Sequence, residues 1–129
     1  MEKNKFTIEF EINASGKMLY PYLNTASGLA EWIADDVTQN EDKTFNFVWN
    51  KINYPVRKVT QKINQYVKFE FINQSEGKDT SWLEFRLESN ELTQTSFLKI
   101  TDYSDITDPS DQKDLWTNLV AELRKAVGA

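Results

Sequence analysis

The sequence predicts an α+β domain: a curved antiparallel sheet of about seven strands around one long C-terminal helix, with two short helices after the first strand. Three observations predict it. Apolar and polar residues alternate in a series of short runs, one before and the rest after a brief helical stretch. Turn residues divide the later runs at short, even spacing. The last segment carries a capped apolar stripe of helical period.

The first run sets Phe6, Ile8, Phe10 and Ile12 against Thr7, Glu9 and Glu11, a strand with one dry face and one wet face. Ser15 is placed to cap a helix carrying Met18, Leu19, Tyr22 and Leu23, and Pro21 inside it predicts a kink or an early end. A second short helix is expected from about Ser27, carrying Leu29, Trp32 and Ile33 and stopping near Asp35-Asp36.

From Val37 to Tyr103 the period is two. Phe45, Phe47 and Trp49 share a parity. The stretch Tyr54–Ile63 slips parity between Val56 and Val59, which predicts a bulge. Val67, Phe69 and Phe71 form the next face, then Leu83, Phe85 and Leu87, then Leu98 and Ile100. Turns are expected at Asn40–Asp42, Asn50–Asn53, Asn64-Gln65, Asn73–Asp79 and Ser89–Glu91. The polar faces of these strands argue for an antiparallel meander and against a parallel sheet buried on both sides.

The final helix starts at Asp108 as N-cap with Pro109 behind it and Asp111 in the first turn. Leu115, Trp116, Leu119, Val120, Leu123 and Val127 make its apolar stripe. Arg124 and Lys125 occupy the last turn, and Gly128 follows.

Composition narrows the chemistry. The 129 residues suit one domain spanning 1–129, 13% of them are aromatic, and Gly and Pro number only 4 and 3. The chain has no Cys and no His, which excludes disulfides, thiolate metal sites, cysteine nucleophiles and histidine-based triads. Its net charge of −5 argues against non-specific nucleic-acid binding. No run approaches the roughly 20 apolar residues of a membrane span. Met1–Lys5 leads into the first strand without the apolar core of a signal peptide, so a cytoplasmic monomer is expected, without cofactor or metal.

The element order is that of the helix-grip fold. Within it, Ala26-Ser27-Gly28-Leu29-Ala30-Glu31-Trp32-Ile33-Ala34-Asp35-Asp36-Val37 resembles the second-helix segment of START-like domains, in the branch related to the activator of the heat-shock chaperone ATPase. The Phe6–Ile12 strand, the Ala14–Leu23 helix and Trp116 fit the same branch. Gly16 stands where the family often has proline, and Leu115 where it often has glycine. The resemblance implies a cavity between sheet and helix. It also implies a family of lipid and hydrophobic-ligand carriers, some cyclases and dehydratases, and chaperone-interacting, stress-response modules. No single chemistry travels with such a fold.

Candidate ligand-binding residues are Trp32, Phe45, Phe47, Trp49, Phe69, Phe71, Phe85, Asp102, Trp116 and Val120. The rings point between sheet and helix, where they either fill a core or line a pocket for a hydrophobic molecule. Asp102 shares the parity of Leu98 and Ile100, so it is either a pocket anchor or a turn cap. Tyr20, Tyr22 and Tyr103 are further polar candidates. No wall position carries a cation, so a neutral ligand is expected to bind better than a fatty acid. Arg57-Lys58 with Lys51 forms a small basic cluster, either solvated or facing an anion. Asp35-Asp36 most simply caps turns rather than holding a metal, and Arg86, between Glu84 and Glu88, suits a cross-strand ion pair on the wet face. Trp82, Tyr66 and Phe97 fall on the polar parity and could form a partner patch, for a chaperone or another protein. No catalytic constellation stands out.

Overall fold

The computed structural model describes residues 3–72, 80–90, 92–106 and 108–129. The expected turn over residues 73–79 therefore lies outside the described residues, as does Glu91; Ser89 and Asn90, expected in a turn, instead end a strand paired with Ser96 and Thr95. The elements run β1 (Asn4–Ile12), α1 (Gly16–Asn24), α2 (Ala26–Leu29), β2 (Asp36–Gln39), β3 (Phe45–Trp49), β4 (Ile52–Lys62), β5 (Tyr66–Phe71), β6 (Trp82–Asn90), β7 (Thr95–Ser104) and α3 (Pro109–Val127). The strands form one seven-stranded sheet in the order β1-β7-β6-β5-β4-β3-β2. Every pairing is antiparallel. From β2 to β7 each strand pairs with the next, and β1 closes onto the free side of β7. The expected α+β architecture is the observed one.

Local chemistry sets the element ends. Ser15 Oγ accepts from the Met18 amide at 3.2 Å and caps α1. Pro21 does not kink the helix at once. Its carbonyl accepts from both the amide and the hydroxyl of Thr25, and the helix closes there. The same Thr25 hydroxyl caps α2 by accepting from the Gly28 amide at 3.0 Å.

The second helix is shorter than the spacing suggests. Trp32 and Ile33 lie in the turns beyond Leu29. Three long-range bonds pull the chain out of helical winding: the Trp32 indole donates to the Tyr22 carbonyl (2.8 Å), the Trp49 indole to the Ile33 carbonyl (2.8 Å), and the Asp35 amide to the Val48 carbonyl (2.9 Å).

The register of β4 against β5 shifts between Lys58 and Thr60, where the parity slip predicts a bulge. Asp108 caps α3 by accepting from the Ser110 amide at 2.9 Å. Gly128 closes it in the left-handed conformation at φ 78°.

The concave face of the sheet packs against α1, α2 and α3. Phe45, Phe47, Phe69 and Phe85 are fully buried there, joined by Ile12, Leu19, Leu23, Leu29, Ile33, Leu98, Ile100 and Leu123. Phe69 sits among three rings, 5.6 Å from Phe45, 5.9 Å from Phe47 and 6.4 Å from Phe85. Arg124 fixes the far end of α3 by donating to the Glu11 carbonyl at 2.8 Å. No helix among the described residues is long and apolar enough to cross a membrane.

Candidate functional site

The helix does not cover the sheet evenly. Its C-terminal half presses onto β1 beside the buried aromatic core. At the opposite end, the ends of β3 and β7, the start of β4 and the N-terminal half of α3 leave an open pocket of about 360 Å³. That lies within the range of small-molecule sites, roughly 300–1,000 Å³. Trp49, Tyr54, Phe71, Leu83, Leu115, Trp116, Leu119 and Ile106 wall it, with Asn50, Asp102 and Ser104 as polar groups. An adjoining recess of about 440 Å³ shares Trp49, Tyr54, Phe71, Ser104 and Ile106 and continues to Pro55, Ile72, Ser81 and Asp105.

The β3–β4 pairing builds the aromatic wall. Trp49 and Phe47 both point inward two residues apart, and Tyr54 lies opposite Phe47. The Trp49 ring is 5.3 Å from Tyr54 and 6.2 Å from Phe71. The bond from its indole to Ile33 holds it in place. Trp116 faces this wall from α3 and donates through its indole to Asp102 Oδ2 at 2.9 Å. Asp102 is 3% exposed. It is thus neither a solvated turn cap nor free of partners. It is a buried carboxylate that anchors the helix and borders the pocket. Two residues on, Ser104 Oγ also borders the pocket and is buried without a hydrogen-bond partner among the described residues.

Of the ten candidate residues, the pocket brings together Trp49, Phe71, Asp102 and Trp116. Trp32, Phe45, Phe47, Phe69, Phe85 and Val120 are packed core and do not border it. Tyr20 bonds to the Gln61 side chain and the Tyr66 carbonyl, Tyr22 bonds to the Ala126 carbonyl, and Tyr103 stacks on Trp82 on the convex face. None of these three tyrosines lines the pocket.

The pocket residues that sequence reasoning passed over are Asn50, Tyr54, Leu83, Ser104, Ile106, Leu115 and Leu119. Tyr54 shares the parity of Val56, and Ser104 that of Asp102, so their direction was readable. Their position at the uncovered end was not.

The basic cluster separates. Arg57 is exposed, whereas Lys58 turns under α1. Its Nζ donates to the Asn24 carbonyl at 3.1 Å, to Asn24 Oδ1 and to Gln61 Oε1 at 3.3 Å, which satisfies the C-terminal end of that helix. Desolvation lowers the Lys58 pKa, and burial followed by the nearby Tyr66 phenol raises that of Tyr20. Asp35 and Asp36 cap backbone amides, of Asn50 and Val37 respectively, each at 2.9 Å.

On the convex face Lys68 lies over the Trp82 ring at 4.2 Å. Arg86 lies over Tyr66 at 4.5 Å and pairs with Glu84 at 3.4 Å. Phe97 is half-exposed beside this row.

Comparison with known proteins places this architecture. The solution structure of the Aha1 dimer from Colwellia psychrerythraea is similar over 96% of both chains, with a TM-score of 0.78 and 21% identity. A Bacteroides fragilis protein solved by NMR is 31% identical, over 98% of this chain and 92% of that one, at a TM-score of 0.64. A crystal structure of a Mesorhizobium loti protein matches over 95% of both chains at a TM-score of 0.75 and 14% identity. No curated protein matches the sequence. The profile of the START-like superfamily domain matches residues 1–129, and the chain belongs to that superfamily.

Proposed function

We propose that the protein binds a small, predominantly apolar molecule without negative charge in the pocket between the sheet and the N-terminal half of α3. One observation carries this: a half-open cavity of about 360 Å³ whose walls are four aromatic rings and four aliphatic side chains, with Asp102 and Ser104 together on one side. Ser104 Oγ and Asp102 offer a ligand hydroxyl both a donor and an acceptor. Among the described residues Lys and Arg are missing from the lining, so a carboxylate would be buried there without a positive partner.

Trp49 and Trp116 report on occupancy. Titration with decan-1-ol should change tryptophan emission saturably, and decanoate should bind at least about tenfold more weakly. A Leu119→Trp substitution, which fills the pocket from α3, should abolish the alcohol response in a folded protein. Tighter binding of the acid, or an unchanged response in the filled variant, would sink the proposal.

A second reading, a protein-interaction module of the chaperone-activator type, draws on the half-exposed Phe97 and the cation-covered rings of Trp82 and Tyr66. It requires that a purified heat-shock chaperone bind the protein and that Trp82→Ala with Phe97→Ala remove the binding.

A further inference from the structure

We infer that the molecule held in this pocket carries a protonated amine, so the site recognises an organic ammonium on an apolar body. The inference rests on the pocket being a ligand site and names the chemistry of its polar end.

Among the described residues, the charged ones bordering the pocket and its adjoining recess are Asp102 and Asp105, both anionic. Ion pairs among the described residues are Arg86–Glu84 and Lys125–Glu122, so neither aspartate has a cation beside it. For Asp102 this is costly. It is 3% exposed, and a neutral indole N–H holds its Oδ2. A buried carboxylate is stabilised far better by a positive partner than by one neutral donor. A ligand ammonium at the pocket end would supply that partner.

The rings point the same way. Elsewhere four rings carry one of the chain's own cations: Lys68 on Trp82, Arg86 on Tyr66, Lys58 on Phe45 and Arg124 on Phe10. Among the described residues, no such contact involves Trp49, Tyr54, Phe71 or Trp116. Four aromatic rings that border the pocket and carry none of the chain's described cations, beside a carboxylate, are the ingredients of an ammonium cage. A neutral alcohol would use the hydrogen bonds but neither the charge nor the rings' negative faces.

The test compares three probes of one shape at pH 7: 4-phenylbutylamine, 4-phenylbutan-1-ol and 4-phenylbutyrate, followed by calorimetry and by amide chemical shifts. The amine should bind about tenfold tighter than the alcohol, and the acid weakest. Asp102→Asn, which keeps an acceptor for Trp116, should erase the amine's advantage, so that the ratio of amine to alcohol affinity falls to about one. Asp105→Asn at the exposed rim should reduce that advantage by about twofold. Alcohol binding equal to or tighter than amine binding would overturn the amine assignment and leave the apolar-ligand reading standing. Failure of all three probes to shift pocket residues, or tightest binding of the acid, would overturn both.

Discussion

The indole Nε1 of Trp116 donates to Oδ2 of Asp102 at 2.9 Å, a buried bond that ties α3 to β7 across 14 residues of sequence. It couples stability to the pocket, because the same two side chains are part of its lining. Trp116→Phe would keep most of the apolar packing and leave the carboxylate without its donor. The expected loss is about 2–3 kcal/mol in urea unfolding, the cost of orphaning a buried charged group. Asp102→Asn should cost less, because an amide oxygen can still accept. A Trp116→Phe variant as stable as the parent would show that the bond contributes nothing.

Two glycines should respond differently to alanine. A Cβ on Gly28 would stand 2.1 Å from the Pro21 carbonyl oxygen and 2.7 Å from Tyr22 Cα, both backbone atoms where α1 and α2 cross. Gly28→Ala should destabilise by about 3 kcal/mol, with α2 displaced. At Gly16 the nearest atom is the Ser89 hydroxyl at 2.4 Å, a side chain that can turn away from its partner Ser96. The lost bond and the gain of up to about 1 kcal/mol in helix propensity nearly cancel, so Gly16→Ala should fall within about 0.5 kcal/mol of the parent. Thermal melts of both variants decide the contrast.

Lys58 predicts a pH dependence. Desolvation lowers its pKa from 10.5, so in the window between the lowered value and 10.5 the unfolded chain holds more protons than the folded one. Stability from this group therefore rises with pH through that window and is least below it, where the ammonium is fully charged. Tyr20 acts in the opposite sense, because its raised pKa favours the folded state only below its own ionisation. The clean measurement is the stability of the parent minus that of Lys58→Met across alkaline pH. The difference should move in favour of the parent as pH rises. A flat difference would show that the amine is not desolvated in the folded state.

Removing the chain from Asp108 onward should expose the aromatic concave face. The stripe of Trp116, Val120 and Leu123 covers that face, and these three residues are 0–2% exposed. The truncated protein should lose its near-ultraviolet signal and cooperative unfolding and bind hydrophobic dye. A truncated chain that still unfolds cooperatively would mean that the sheet does not need the helix.

Core rings and pocket rings should separate by function. Phe69→Ala, within the ring cluster, should cost about 3–5 kcal/mol. Tyr54→Ala, at the 37% exposed mouth residue, should cost under about 1 kcal/mol and weaken alcohol binding severalfold. Equal effects of the two changes on stability would contradict the division between packed core and open pocket.

The architecture was written locally. Alternation of Phe6 to Ile12, Val67 to Phe71 and Leu83 to Leu87 names the dry face of each strand, because successive side chains must point to opposite sides. Ser15, Asp108, Pro109 and Gly128 end their helices by satisfying or sparing backbone groups a few residues away. Even the inward direction of Asp102 followed from parity. Tertiary structure alone decided what stands opposite each inward side chain. Parity does not distinguish Phe69, sealed among three rings, from Phe71, which borders a cavity. The difference is that α3 leaves one end of the sheet uncovered. Nor does it reveal that Lys58 closes α1 while Asp102 meets Trp116. Those partnerships depend on packing between elements far apart in sequence, where volume and hydrogen-bond geometry govern and no local period leaves a trace.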